Sequence, residues 1–108
     1  IHHCGGMIVA TAKGGSHESR IATSLVSSGA DASIVTKRLE DGNIRITARA
    51  PWRSIKSGLD LGAIMTSLAT AKGGQGGGHA GAAGWMGNAN RREAIAFLLA
   101  EIGIQARG

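Results

Sequence analysis

The twelve residues from Gly73 to Gly84, GGQGGGHAGAAG, constrain this chain more than any other stretch. Glycine enters backbone conformations closed to other residues and lets a ligand approach the main chain closely. Successive exposed amide N–H groups can then form a concave nest for an anion. His79, Ala80, Ala82 and Ala83 predict a short helix after the loop, whose start would add unsatisfied N–H groups and positive dipole character. On that reading Gly76, Gly77, Gly78 and His79 form a phosphate cradle, and Ala82, Ala83 and Gly84 let the turn pack against a neighbour. The bland alternative is a flexible linker. The segment is not a nucleotide-binding P-loop, because no Gly-Lys-Ser/Thr follows. It is not a dinucleotide fingerprint, because a helix rather than a strand precedes it.

Glycine is 18 of 108 residues, more than twice its usual share of ~7%. The hydrophobic fraction of 43% and charged fraction of 18% fit one globular domain and argue against disorder. No apolar run approaches the ~18 residues of a membrane span. The single cysteine, Cys4, excludes an intrachain disulfide framework, and a cytoplasmic location is expected. The net charge of +5 biases the domain towards phosphates, nucleic acid or acidic surfaces. Only Trp52, Trp85 and Phe97 are aromatic, which weakens any picture of a long base-stacking platform. The chain opens at Ile1 without an initiator methionine or a signal-peptide pattern, so a piece of a longer protein is expected.

Met7 to Lys13 predicts a strand, and Gly14-Gly15 break it. Ser16 is a candidate cap for a helix carrying Ile21, Ala22, Leu25 and Val26, with Glu18 in its first turn and Gly29 at its end. Ser33 to Leu39 predicts a second strand. Asp41-Gly42 signals a hairpin, and Asn43 to Ala50 returns, with Ile44, Ile46, Ala48 and Ala50 on one face and Arg45, Thr47 and Arg49 on the other. Pro51 stops it, and WRSIKSG reads as a basic loop. Asp60 caps a helix whose Leu61, Ile64, Met65, Leu68 and Ala69 recur at core-facing spacing. Lys72 sits in its last turn and Gly73-Gly74 end it. Trp85 to Gly87 suits a short strand. Asn90 and Glu93 resemble a capping box for a last helix built on Ile95, Leu98, Leu99 and Ile102 and closed by Gly103. The fold class is α/β (α+β): a small mixed sheet of about four to five strands packed with three main helices. Residues 1–6 read as a linker or frayed terminus, and 7–108 as the domain.

Other residues carry weaker readings. Arg45 either broadens the Arg49 patch or is an ordinary solvated strand residue. Arg53 and Lys56 either follow a nucleic-acid backbone or sit in a solvated loop. Trp52 stacks on a base or, on the bland reading, packs half-buried; Trp85 packs in the core. Met7, Met65 and Met86 read as core fillers, and His17 as a solvent-facing helix residue. Arg91-Arg92 stand at a helix start, where positive charge is unfavourable, a hint of a separate anion contact. Asp31, Asp41 and Asp60 show no metal-ligand spacing, and neither a catalytic nor a metal-binding residue is assigned.

GGGHAGAAG resembles the Gly-Gly-Gly-His-x-x-Ala-Ala-Gly signature of the DHH-associated domain of the first subfamily. That domain is the C-terminal, substrate-binding half of DHH-family phosphoesterases, which include RecJ-like single-strand exonucleases, oligoribonucleases and cyclic-dinucleotide phosphodiesterases. The family carries a Ser-x-Arg on an upstream strand; here Thr47-Ala48-Arg49 in IRITAR takes its place. Thr47 keeps the hydroxyl, and Ala80 replaces a proline common after the histidine. The resemblance runs from Met7 to Ile102, and IRITAR and GGQGGGH are most similar to archaeal RecJ-like members.

The resemblance implies that Gly76, Gly77, Gly78 and His79 hold a substrate phosphate and that Arg49, with Thr47, pairs with phosphate or base. It implies a separate N-terminal catalytic domain holding manganese, with no cofactor in this chain. Single-stranded nucleic acid or short nucleotides would be the partners, and the chain alone would hydrolyse nothing. A second expectation is a stand-alone nucleic-acid-binding module similar to the domain appended to alanyl-tRNA synthetases. A third is a small basic interaction domain whose glycine loop merely turns the chain.

Overall fold

The first residues pair rather than fray. The computed structural model describes residues 1–108. β1 (His2–Cys4) runs antiparallel to β2 (Met7–Lys13), with Cys4 opposite Met7. Gly5 and Gly6, at φ +57° and +88°, make the two-residue turn between them. Two consecutive positive φ values give a turn whose twist matches a hairpin, and glycine adopts them without steric cost. The expectation of a linker over residues 1–6 is thereby corrected.

From β2 the chain crosses through α1 (Glu18–Ser27) to β3 (Ala32–Arg38), which lies parallel to β2. Ser16 does not cap α1: His17 holds the N-cap position, without a side-chain hydrogen bond. β3 turns into β4 (Ile44–Arg49) through a loop in which Gly42 has φ +87°. WRSIKSG is not a loop: Pro51 starts a short helix, α2 (Trp52–Lys56), since a fixed proline φ suits a helix start. α3 (Leu61–Lys72) begins where expected, with the Asp60 carboxylate accepting from the Ala63 amide at 3.1 Å.

The glycine segment departs most from expectation. No helix follows the GGGH. Gln75–His79 is strand β5, Ala82–Gly87 is strand β6, and the two form a hairpin. α4 (Arg91–Arg107) is capped by Asn90, whose side chain accepts from the amides of Arg92 and Glu93. Gly103 does not close it; it lies buried inside the helix, which runs on to Arg107.

The six strands form one mixed sheet in the order β1-β2-β3-β4-β6-β5, a strand or two more than expected, and the α+β class holds. α3 and α4 cover one face, burying Val9, Ile34, Ile46, Leu68, Trp85 and Leu98. α1 covers β3 and part of β4 on the other face, where the Ser33 hydroxyl donates to the Ala22 carbonyl at 2.8 Å. Met7 and Met65 belong to the core, but Met86 is exposed, on the α1 side of the sheet beyond the strands that α1 covers. Trp85 is buried as expected, whereas Trp52 is 71% exposed and not half-buried.

Candidate functional site

Strand alternation and register build the site. On β4, Ile44, Ile46 and Ala48 point under α3 and α4, so Arg45, Thr47 and Arg49 point the other way. β6 and β5 extend that second face in three cross-strand rows. Arg45, Met86 and Gln75 form one; Thr47, Gly84 and Gly77 the next; Arg49, Ala82 and His79 the third. The middle row has no side chain on two of its three strands and the third has only a methyl at its centre. The result is a low backbone floor between a rim of Thr47 and Arg49 and the edge strand with His79. At one end a depression of about 340 Å³ is lined by Arg45, Thr47, Gln75, Gly84 and Met86 among others.

The expected site residues divide between the two faces. Thr47, Arg49, Gly77 and His79 share the open face. Arg49 and His79 both register on Ala82, which puts their Cα atoms two strand spacings, about 10 Å, apart. Gly76 and Gly78 lie against α3. A Cβ on Gly76 would stand 2.4 Å from the Met65 carbonyl oxygen and 2.8 Å from the Trp85 ring, and one on Gly62 would stand 2.4 Å from the Gly78 carbonyl oxygen. These glycines let a helix rest directly on a strand's backbone. The expected nest at a helix start is therefore corrected: Gly76 to His79 occupy an extended edge strand, and such a strand presents a row of N–H and C=O groups to solvent.

The hairpin is held at its tip. The Ala50 amide donates to the Gly81 carbonyl at 3.0 Å and the Leu61 amide to the Ala80 carbonyl at 2.9 Å. The tip is thus tied to the end of the Arg49 strand and to the start of α3, which fixes His79 relative to Arg49.

Charges on this face are unequal in availability. Arg45 donates through Nε to Glu18 Oε1 at 2.9 Å. That guanidinium, with help from Lys37, holds the buried Glu18 carboxyl below the usual carboxylate range against the opposing effect of burial. Arg49 makes no ion pair. Arg53 is committed elsewhere: it donates to Asp31 and to the carbonyls of Gly29 and Ala30. Lys56 stays exposed on α2.

The Glu18–Arg45 pair has a pH consequence. A carboxyl whose folded pKa is depressed stabilises the fold fully above its unfolded pKa and loses that contribution as pH falls through the folded value. In Arg45→Gln the carboxyl stays buried without its partner. Stability at neutral pH should drop by roughly 1–3 kcal/mol, and the acid-unfolding midpoint should move to higher pH. Circular dichroism across an acid titration of both proteins checks this; an unmoved midpoint contradicts it.

No three His, Cys, Asp or Glu side chains of this chain gather as a metal site. Asp31 accepts from the Ile8 amide and Arg53, Asp41 from Asn43, and Asp60 caps α3. The donor set here does not fit a resident manganese ion. Burial pushes the Cys4 thiol above its ordinary pKa, which lowers its thiolate fraction. No helix is long and apolar enough to cross a membrane.

Comparison with solved structures places this fold. The C-Ala domain of alanyl-tRNA synthetase from Aquifex aeolicus superposes with a TM-score of 0.74 at 19% identity, over 99% of this chain and 97% of that one. A pGpG-specific phosphodiesterase, PggH, from Vibrio cholerae matches 70% of this chain with a TM-score of 0.54 at 19% identity. The DHH domain of a protein described as a member of a ribosomal-protein family matches 80% with a TM-score of 0.57 at 20% identity. The chain spans only 25% and 20% of those last two chains. No curated protein sequence matches it. A family model described as the DHHA1 domain matches residues 6–103, nearly the whole chain. With the glycine hairpin, the Thr47-Ala48-Arg49 strand and that match in hand, the chain belongs to the DHHA1 domain family.

Proposed function

We propose that this domain binds the phosphate groups of single-stranded nucleic acid or short nucleotides and positions them for a separate DHH-type phosphoesterase domain in the cytoplasm. The observation that carries the reading is the row Arg49–Ala82–His79, which runs across β4, β6 and β5 on the side of the sheet where α1 covers only β3 and part of β4. An arginine with no acidic partner offers a planar fork of donors that matches a phosphate and stays charged. Thr47, one position along the same face, adds a hydroxyl. Gly77 and Gly84 let a phosphodiester approach the backbone, and the amides among Gly76, Gly77 and Gly78 that point away from β6, with the ring of His79, are the contacts on the far side. Manganese and the hydrolytic step belong to the catalytic domain. The role of this chain is to hold the scissile region in place, the entropic part of catalysis. RecJ-like exonucleases and oligonucleotide phosphodiesterases are the enzyme classes this reading favours.

A second reading has its own support. The C-Ala likeness covers both chains almost end to end, so the same fold serves as a domain of an alanyl-tRNA synthetase. On that reading the open face binds nucleic acid for its own sake.

Binding of a fluorescent single-stranded oligonucleotide to the 108-residue chain tests the shared core of both. Arg49→Ala and His79→Ala should each weaken binding by roughly 5- to 100-fold, the loss of one charge-assisted or neutral contact, with unchanged thermal unfolding. Affinity should fall as salt rises, with a log–log slope near −0.7 per phosphate contacted. Unchanged affinity in both variants, or a flat salt response, defeats the proposal. A structured tRNA preferred over the oligonucleotide would favour the second reading.

A further inference from the structure

We infer that the cleft between the ends of β2 and β3 and the start of α4 is a second anion site, taking a phosphate group between Lys13, Arg38 and Arg91. The cleft has a volume of about 320 Å³ and is lined by Lys13, Gly14, Thr36, Arg38, Ile44 and Arg91. Three of its six lining residues are cations and none is a carboxylate.

Register separates this site from the first. Lys13 pairs with Thr36, Thr36 with Ile46, and Arg38 with Ile44. All therefore project from the face that carries Ile44 and Ile46, opposite to the face of Arg49 and His79. The inference consequently does not rest on the reading proposed above.

Charge makes the case. Like charges gathered in one cleft repel, and Arg91 adds a cation at the first residue of a 17-residue helix, the end where the dipole already disfavours one. None of the three ion pairs in the molecule includes Lys13, Arg38 or Arg91. No carboxylate nearby in the chain forms an ion pair with them, and Glu93, two residues on from Arg91, pairs with Lys72. Glu18, beside Gly14, is bound to Arg45; Asp41 accepts from Asn43; Glu40, exposed in the turn beyond Arg38, makes no ion pair. A bound anion removes the repulsion.

Geometry supports the same ligand. Arg91 donates through Nε to the Thr36 hydroxyl at 2.6 Å, and Thr36 is buried at 2% exposure. That bond orients the guanidinium and leaves its two terminal nitrogens for a forked contact with phosphate. The Thr36 hydroxyl accepts from Arg91 and keeps its own proton to donate. Gly14 is tied by its amide to the Thr36 carbonyl at 2.7 Å, which fixes the wall that carries Lys13. An orienting bond inside a cationic cleft is what recognition of a tetrahedral oxyanion requires.

Titration of the isotope-labelled 108-residue chain with inorganic phosphate at constant ionic strength, followed by NMR, tests the site. Saturable shifts are expected at the Gly14 and Thr36 amides and at the Arg91 side chain. Lys13→Gln and Arg38→Gln should each weaken the apparent affinity several-fold, and the pair together should abolish saturation. Lys56→Gln removes the same charge from α2 and should leave affinity unchanged. A second arm uses a 5′-phosphorylated dinucleotide and its dephosphorylated form. Tighter binding of the phosphorylated form, sensitive to the same variants, identifies a nucleotide end as the source; equal affinity for inorganic phosphate identifies the free ion. Shifts confined to Gly77–Ala82, shifts that never saturate, or an equal effect of Lys56→Gln would each overturn the inference.

Discussion

Gly62→Ala should destabilise this domain by about 3 kcal/mol, although alanine is the better helix former. In an exposed helix interior the same change stabilises by roughly 1 kcal/mol. Here Gly62 lies in α3 against β5, and a new Cβ would stand 2.4 Å from the Gly78 carbonyl oxygen and 3.0 Å from its carbon. Both are backbone atoms of a paired strand, so no rotamer change relieves the clash. The helix must lift, and overpacking of this kind costs ~1–3 kcal/mol or more. Gly103→Ala is the matched control. It too is a buried helical glycine, but the nearest atoms to its new Cβ lie 4.0 Å away, an ordinary contact. That variant should gain up to about 1 kcal/mol. Urea unfolding of the two proteins reads opposite signs, and a neutral or stabilising Gly62→Ala would refute the account of why β5 is made of glycine.

Trp85→Ala should cost about 3–5 kcal/mol, a large part of the ~5–15 kcal/mol that holds a typical domain. Trp85 is 2% exposed and its indole N–H donates to the Gly73 carbonyl at 2.9 Å. Its ring lies over three glycines: a Cβ on Gly74, Gly76 or Gly87 would meet ring atoms at 3.0, 2.8 and 2.5 Å. Removing the indole leaves a cavity above the bare backbone of those glycines, under α3. Trp85→Phe keeps most of the ring but orphans the Gly73 carbonyl, and should cost a smaller 1–3 kcal/mol, roughly the penalty of one unmet acceptor. Thermal unfolding separates them, at roughly 4–8 °C per kcal/mol for a domain of this size. A Trp85→Ala protein that melts like the parent would mean that the glycines answer to something other than this ring.

Both predictions bear on how the glycine segment is understood. Read along the chain, GGQGGGHAGAAG suggests a loop shaped for an anion. In the folded domain, Gly74, Gly76 and Gly78 are first of all packing residues, demanded by Trp85, α3 and β6. Gly77 is the exception: a Cβ there would meet only the Thr66 hydroxyl, at 3.9 Å, and it shares a row with Gly84 and Thr47 on the open face. The residues free to serve a ligand are thus fewer than the motif suggests.

Local signals were legible without a structure. Asp60 and Asn90 name the starts of α3 and α4 because capping is a bond between near neighbours. The alternation of Ile44 to Arg49 names both faces of β4 because side chains on a strand alternate with period two. Thr47 and Arg49 therefore fall on one face by arithmetic, and the hairpin at Gly42 follows from the backbone freedom of its glycine. Gly5-Gly6 carried a comparable hairpin signal between HHC and MIV, obscured by the expectation that a terminus frays.

What tertiary structure alone decided is wherever the chain has no period of its own or the contact spans distant residues. Glycine has no side chain to alternate, so nothing in Gln75–His79 announces a strand; β6 and α3 impose it. The commitment of Arg45 to Glu18, 27 residues away, and the placement of His79 across Ala82 from Arg49 depend on register between strands far apart in sequence. Propensity and capping act over one or two turns, whereas register is set by the packing of the whole sheet against its helices.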